Sequence, residues 1–406
     1  MNQRILFVDD DPFLLQGLRR IVMCACDDWD AEFVSSGEEA LRELDGEPFD
    51  VVVSDMRMPS MDGAEFLAQV RDRHPEIIRL ILSGQSENEA IMRAIGPAHQ
   101  FLAKPCQLDN LMAAIQRALT LRDKLNDNRL RTIVAGIRSL PSLTGNIQLL
   151  MQKLGDPEVS LDEISDIVVK DIGMTTKILQ VVNSPYFGIS NPIANPRHAI
   201  ALLGMNQVRP LVLTAGVFAE CERLGKWTDV ATAVMDHSMA VASRAHHITY
   251  VETDDAVLAD YAFLAGMLHD VGKLILMQHN SDEYDAALEL SKVEGIPQWQ
   301  AERQILQTCH AEIGAFLLGL WGLPSPTVEA VMCHHTPCEA TERGFTVALA
   351  VHVADACEIH AQDSAKSFDD FVELDHQLLV EAGVADRLAT WRELTGNTVL
   401  TGDGTA

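Results

Sequence analysis

The sequence predicts a multidomain chain. A doubly wound α/β unit on a five-stranded parallel sheet comes first, and an all-α unit follows. Three observations predict this. Short apolar runs alternate with helical patterns over residues 1–124. Beyond them strand signals nearly vanish, and apolar residues recur at helical spacing. The length of 406 residues suits two or three domains at roughly 150 residues each.

In the first unit, Ile5 to Val8 reads as a buried parallel strand and Phe13 to Cys24 as a helix. Ala31 to Ser35 is the second strand, followed by a helix over Glu38 to Leu44. Val51 to Val53 is the third strand, with a helix from Gly63 to Arg73. Ile77 to Leu82 is the fourth, with a helix near Glu87 to Ile95. Gln100 to Ala103 is the fifth, and the last helix spans Leu108 to Leu121. In such sheets ligands sit at the carboxyl ends of the strands. Charges collect there: Asp9, Asp10 and Asp11 after the first strand, Asp55 after the third, Ser83 at the fourth and Lys104 at the fifth. Converging carboxylates repel, and a hard divalent cation such as Mg²⁺ relieves the repulsion through oxygen ligands. A lysine and a hydroxyl facing the same point suit phosphoryl oxygens.

Residues 125–139 are charged and helix-compatible, with Leu125, Leu130, Ile133 and Ile137 forming a narrow apolar stripe. They read either as a semi-rigid relay continuing from the first unit or as an ordinary surface helix. Residues 140–400 form the all-α unit. Its runs include Leu149 to Leu154, Ile164 to Val168, Ile178 to Val182, Ala199 to Leu203 and Val208 to Val217. Eleven of the 14 histidines fall between His237 and His376. His269 stands beside Asp270 on an apolar helix, and His310, His334, His335 and Asp355 follow on further segments. Imidazole with carboxylate suits Fe, Mn, Zn or Ni. Spacing alone leaves a second reading open, a hydrogen-bonded buried network that fixes helix packing.

Hydrophobic residues make up 47% and charged residues 22%, so the chain is globular. Lys and Arg number 31 against 59 Asp and Glu, a net charge of −28. That surface argues against phosphate-backbone partners and so against direct nucleic-acid binding. No apolar run reaches the roughly 18 to 20 residues that span a bilayer, and the N-terminus lacks a signal-peptide layout. Eight cysteines without a CxxC pair suit reduced thiols. The expectation is a cytoplasmic protein with no membrane partner.

The segments VDDDP (8–12), SDMRMPSMDG (54–63), LSG (82–84) and FLAKP (101–105) resemble the receiver domain of bacterial two-component response regulators, a flavodoxin-like fold. The resemblance implies that Asp55 accepts a phosphoryl group from a sensor histidine kinase. It implies that Asp10, Asp55 and the backbone carbonyl of Arg57 ligate Mg²⁺, with Asp9 assisting through water. Ser83 and Lys104 are then the phosphoryl contacts, Phe101 is the switch aromatic, and Lys104-Pro105 is a cis bond.

The segments LPSL (140–143), KDIGMTTKILQVVNSPYFG (170–188) and HAIALLGMNQVRPLVL (198–213) resemble the HDOD domain. His237, His269-Asp270 and Asp355 resemble the skeleton of the HD phosphohydrolase superfamily, with His310, His334 and His335 as the additional ligands of its two-metal branch. The Gly-Tyr-Pro motif of the related cyclic di-GMP phosphodiesterases is missing, because Thr336 and Pro337 follow His335. Two functions follow from the resemblance. One is a non-enzymatic response regulator whose phosphorylation controls an HDOD output module through protein contacts. The other is a phospho-regulated, metal-dependent phosphohydrolase acting on a nucleotide or cyclic dinucleotide. It assigns no catalytic residue. The partners it implies are the kinase, a downstream protein and a second copy of the chain in a homodimer.

Overall fold

The structure is a computed structural model. It describes residues 3–25, 29–84, 97–104, 108–125, 128–137, 140–142, 144–154, 159–183, 192–204, 208, 219–220, 226–342, 344–362 and 374–393. The chain divides into two compact units. One comprises Met1–Ser139 with Lys177–Pro192 and Phe316–Leu323; the other comprises Leu140–Thr176, Ile193–Ala315 and Pro324–Ala406.

In the first unit, strands β1 (Gln3–Val8), β2 (Trp29–Val34), β3 (Val51–Asp55), β4 (Ile78–Gly84) and β5 (Gln100–Lys104) form one sheet in the order β2-β1-β3-β4-β5. All four pairings are parallel. The unbroken apolar runs are explained by burial on both faces: Ile5 to Val8, Val51 to Val53 and Leu80 to Leu82 are all buried. Helices α1 (Pro12–Ala25), α2 (Gly37–Gly46), α3 (Gly63–Arg73) and α4 (Leu108–Lys124) accompany the strands. Ser36 and Asp62 start α2 and α3 by accepting the backbone N–H of Glu39 and Glu65. The strand order reverses between β1 and β3, which sets Val8 beside Ser54. Their carboxyl ends therefore open side by side. The expected helix near residues 87–95 and the Lys104-Pro105 bond lie outside the described residues.

The 125–139 segment is not one helix continued from the first unit's last. Helix α4 ends at Lys124, and α5 spans Asn128–Gly136. Leu130, Val134 and Ala135 are buried, so α5 packs one face inward, as an ordinary amphipathic surface helix does. Arg79, buried on β4, donates to the Ala135 carbonyl at 2.9 Å and ties α5 to the sheet.

The remainder is largely helical. Helices α6 (Thr144–Leu154), α7 (Leu161–Val168), α8 (Ile172–Val182) and α9 (Pro196–Leu203) come first. Two residues at β6 (Pro141–Ser142) pair in parallel with β7 (Ala219–Glu220), a short exception to the all-α expectation. A Ser160–Glu163 capping box begins α7, and Asn195 caps α9 ahead of Pro196. The run expected over Val208 to Val217 is described only at Val208. Then follow α10 (Thr228–Thr253), α11 (Ala256–Leu268), α12 (Val271–His279), α13 (Ser281–Glu294), α14 (Gln298–Leu306), α15 (His310–Leu320), α16 (Ser325–Cys333), α17 (Val347–Gln362), α18 (His376–Glu381) and α19 (Leu388–Glu393). Val241, Ala245, Ala262, Ala265, Ala330, Leu349 and Val353 join α10, α11, α16 and α17 in one buried cluster. Among the described residues, no helix is long and apolar enough to cross a membrane.

Candidate functional site

Two clusters of ionisable side chains stand out, one in each unit. The first lies at the carboxyl ends of β1, β3 and β5. Asp9 and Asp55 are buried, and Asp10 is exposed. One carboxylate oxygen from each of the three lies within 4.8 Å of the others. Lys104 Nζ bridges Asp9 Oδ2 at 2.7 Å and Asp55 Oδ1 at 2.6 Å. Burial pushes the Asp55 carboxyl above its usual range, with Asp9 adding to it and Lys104 opposing. Burial opposes the Lys104 charge too, but Asp55 and Asp9 outweigh it and raise its pKa. Asp11 takes a different part. Its Oδ1 accepts the Phe13 N–H at 2.8 Å, so it starts α1.

The other expected residues surround this point. Ser83 is fully buried where β4 pairs with β5 opposite Ala103. Phe101 is buried with Met56, Ile81 and Ala98. Arg57 lies on the loop after β3 with its side chain exposed. Glycine at position 63 is a requirement of this loop, since a Cβ there would lie 2.1 Å from the Asp55 carbonyl oxygen.

The second cluster gathers all seven of the expected HD-type residues. His237 comes from α10; His269 and Asp270 join α11 to α12; His310 opens α15; His334 and His335 end α16; Asp355 comes from α17. His237 Nε2 lies 2.9 Å from Asp355 Oδ1, and His269 Nε2 lies 3.5 Å from Asp270 Oδ2. Asp270 Oδ1 lies 3.3 Å from His310 Nε2 and 4.0 Å from His334 Nε2. The Nε2 atoms of His310 and His335 face each other at 2.9 Å. Gly272 allows α12 to meet α15, because a Cβ there would lie 2.0 Å from the His310 carbonyl oxygen.

Burial pushes His269, His334 and His335 below the usual imidazole range, so they are neutral at neutral pH. Burial raises the Asp270 carboxyl, but His269, Lys273 and His310 outweigh it and hold Asp270 well below the carboxylate range. Asp355 is held low against its burial by the His237 hydrogen bond. His310 differs: burial pulls it down, Glu302 outweighs that, and its pKa is pushed up to about 9.

The donor chemistry fits a cation. Three buried atoms without a hydrogen-bond partner meet here, His269 Nε2, Asp270 Oδ1 and His334 Nε2. Buried polar atoms are ordinarily paired, so these are open to a further partner. Donor atoms of His237, His269 and Asp355 form one group within 4.8 Å, and those of His310, His334 and His335 form another. Beside them is a cavity of about 320 Å³, whose lining includes Asp270, Lys273, Trp299, His310 and His335 together with the apolar Val230, Val234 and Ile359.

Sequence reasoning missed three residues of this site. Lys273 contacts Asp270 Oδ2 at 2.6 Å, and its place one helical turn after Asp270 was the available signal. Glu302 is fully buried and contacts His310 Nδ1 at 2.6 Å. Trp299 stacks on His335 at 5.6 Å between ring centroids. Cys333, beside His334, is buried in the apolar helical cluster.

A receiver-type sheet and an HD-like helical unit thus define the class of this chain. Residues 5–116 match the response regulator receiver domain family, and residues 140–337 match the HDOD domain family. The protein is a response regulator receiver domain joined to an HDOD domain. Among its relatives is an uncharacterized protein of Treponema pallidum, 23% identical over 52% of this chain and 40% of that protein. The hydrogenase transcriptional regulatory protein HoxA of Cupriavidus necator is 36% identical over 28% of this chain and 24% of its own. The chain thus spans two fifths or less of these relatives' lengths. The MmoQ response regulator of Methylococcus capsulatus is a similar solved structure. It shares 24% identity at a TM-score of 0.47, covering 63% of this chain and 98% of its own.

Proposed function

We propose that this protein is a phospho-controlled regulator in which Asp55 receives a phosphoryl group from a sensor histidine kinase. The HDOD module is then the output, acting through protein contacts with a downstream protein or a second copy of the chain. The observation that carries this reading is the buried Asp55 carboxylate, which Lys104 bridges to Asp9 at the strand ends. An Asp55 oxygen attacks phosphorus, the phosphorus–nitrogen bond of the kinase phosphohistidine breaks, and the imidazole leaves with the bonding pair. Lys104 then follows the new phosphoryl oxygens, aided by Ser83, while Asp9 and Asp10 remain as carboxylates. Asp10, Asp55 and the Arg57 carbonyl would hold Mg²⁺, with Asp9 assisting, and the cation would supply positive charge that offsets the carboxylates. The net charge of −28 speaks against DNA as a direct partner. The test is labelling with a small phosphodonor and Mg²⁺: wild type should be labelled and Asp55→Asn should not, and equal labelling of both sinks the assignment.

A second reading rests on the three unpartnered atoms of the histidine cluster and the adjoining cavity. In it the HDOD module holds one or two transition metals and hydrolyses a phosphate ester of a nucleotide or cyclic dinucleotide. His237, His269, Asp270, His310, His334, His335 and Asp355 would hold the Fe, Mn, Zn or Ni. Such a metal supplies Lewis acidity toward a phosphoryl oxygen. Lys273 adds a fixed positive charge beside the cavity, and Val230, Val234 and Ile359 add apolar lining. Metal analysis of the purified protein decides this reading, and a metal-free wild type removes it.

A further inference from the structure

Helix α14 presents Gln298, Trp299 and Glu302 toward the histidine cluster. Glu302 has no exposed surface. Its Oε2 accepts the His310 backbone N–H at 2.8 Å and faces the His310 ring Nδ1 at 2.6 Å. Its Oε1 accepts from the Gln298 amide at 2.8 Å, and that amide also reaches the Tyr284 hydroxyl at 2.9 Å. A buried carboxylate is costly unless donors surround it, and these donors supply what it needs. Trp299, three residues before Glu302, lies flat on His335 with 15° between the rings. One helix therefore orients two of the three histidines in the His310, His334 and His335 group.

The three histidines are not held alike. His334 gives Nδ1 to a backbone carbonyl, that of Val331. His310 gives Nδ1 to a carboxylate. Either acceptor holds a proton on Nδ1, so Nε2 is the nitrogen that ligates, in His310 once a cation displaces its proton. A carboxylate also makes that lone pair a stronger donor.

We propose that Glu302 is the positioning residue of a second cation position, the one framed by His310, His334 and His335. It fixes the His310 tautomer and strengthens Nε2 as a ligand, so α14 governs filling of that position without touching the cation. This rests on the metal reading above and goes beyond it, since that reading assigns ligands only.

The test is a titration of the metal-free full-length protein with Co²⁺, read by visible absorbance and calorimetry. Wild type should bind two equivalents. Glu302→Gln, which keeps size and removes charge, should weaken the second by about 10- to 100-fold. The first equivalent should not move, whatever melting temperature the metal-free variant loses with the charge. Should Glu302→Gln fail to fold, Gln298→Leu replaces it; it leaves the carboxylate but removes a donor that orients it. It should weaken the second equivalent by a few-fold. Unchanged binding of both equivalents in the folded variant overturns the proposal. So does parallel weakening of both together with a lower melting temperature, because that marks a merely structural role. A wild type that binds a single equivalent also overturns it. A wild type that binds none overturns the metal reading itself.

Discussion

His269 and His334 are built alike. Each is the residue that closes a helix, α11 or α16, and each directs Nδ1 to the carbonyl three residues back, Gly266 at 2.7 Å and Val331 at 2.8 Å. Those carbonyls are among the last in their helices and have no intrahelical donor. The ring N–H satisfies one of them, and the tautomer is thereby fixed. Each Nε2 is left as a lone pair, buried and without a partner. The two rings meet edge to face at 5.0 Å, with the Asp270 carboxylate beside them.

Asp270→Ala is the substitution to which this arrangement is most sensitive. It should abolish metal uptake, as measured by elemental analysis after dialysis against Zn²⁺ or Mn²⁺. The metal-free variant should also lose stability, by about 3 kcal/mol, since Lys273 is left charged and largely buried without its partner. Full metal retention in the variant would show that Asp270 does not ligate.

The alternation of apolar runs and helical patterns was enough to read the sheet, because strands buried on both faces leave an unmistakable pattern. The same pattern placed Asp9, Asp55, Ser83 and Lys104 together, since strand ends in a parallel sheet converge by topology. In the helical unit the seven ligand candidates were legible as residue types, but their convergence was not. It depends on how six helices cross, and that is set by contacts such as Gly272 against the His310 carbonyl. Glu302 was invisible for a related reason. A lone glutamate on the charged-looking helix QWQAERQIL resembles any solvated one until its neighbours are known. The break at Lys124 was missed because every residue nearby tolerates helix.

Asp10 is the exposed member of the three strand-end carboxylates and is not held by Lys104 in the way Asp9 and Asp55 are. Asp10→Asn should therefore leave the melting temperature unchanged to within about 0.5 kcal/mol of stability. Its effect should fall on the cation instead. The Mg²⁺ concentration needed for half-maximal phosphodonor labelling should rise about tenfold, as one charged oxygen ligand becomes neutral. An unchanged Mg²⁺ requirement counts against Asp10 as a ligand.

Two glycines are spacing elements, and a third is a control. Gly272→Ala sets a methyl group 2.0 Å from the His310 carbonyl oxygen, and Gly63→Ala sets one 2.1 Å from that of Asp55. Backbone must move in both cases, at a cost of about 1 to 3 kcal/mol. Gly46→Ala meets nothing within 4 Å and should be neutral or slightly stabilising. Denaturant titrations of the three variants test this. Gly272→Ala should also weaken metal uptake while leaving Asp55 labelling intact, and Gly63→Ala should do the reverse.

Lys177, on α8, is a buried cation whose pKa burial lowers from 10.5 to about 8. Its Nζ donates to Gln180 Oε1 at 3.0 Å. Below pH 8 the lysine is protonated in both the folded and the unfolded chain, and the burial cost is fully present. At about 1.4 kcal/mol per pKa unit, that cost is about 3 kcal/mol. Between pH 8 and 10.5 the unfolded chain holds a proton that the folded chain has released, so stability rises with pH across that window. Lys177→Met removes the charge but leaves the Gln180 oxygen without its donor, at a cost of about 1 to 2 kcal/mol. The variant should thus be more stable than wild type by about 1 to 2 kcal/mol at pH 7. The advantage should shrink as pH rises through the window and reverse near its upper end, where wild-type Lys177 is neutral in both states and still donates to Gln180. Denaturant titrations of both proteins at pH 7, 8.5 and 10 measure the difference directly, free of the groups they share. A difference that stays constant with pH would show that the lysine keeps its ordinary pKa in the folded chain.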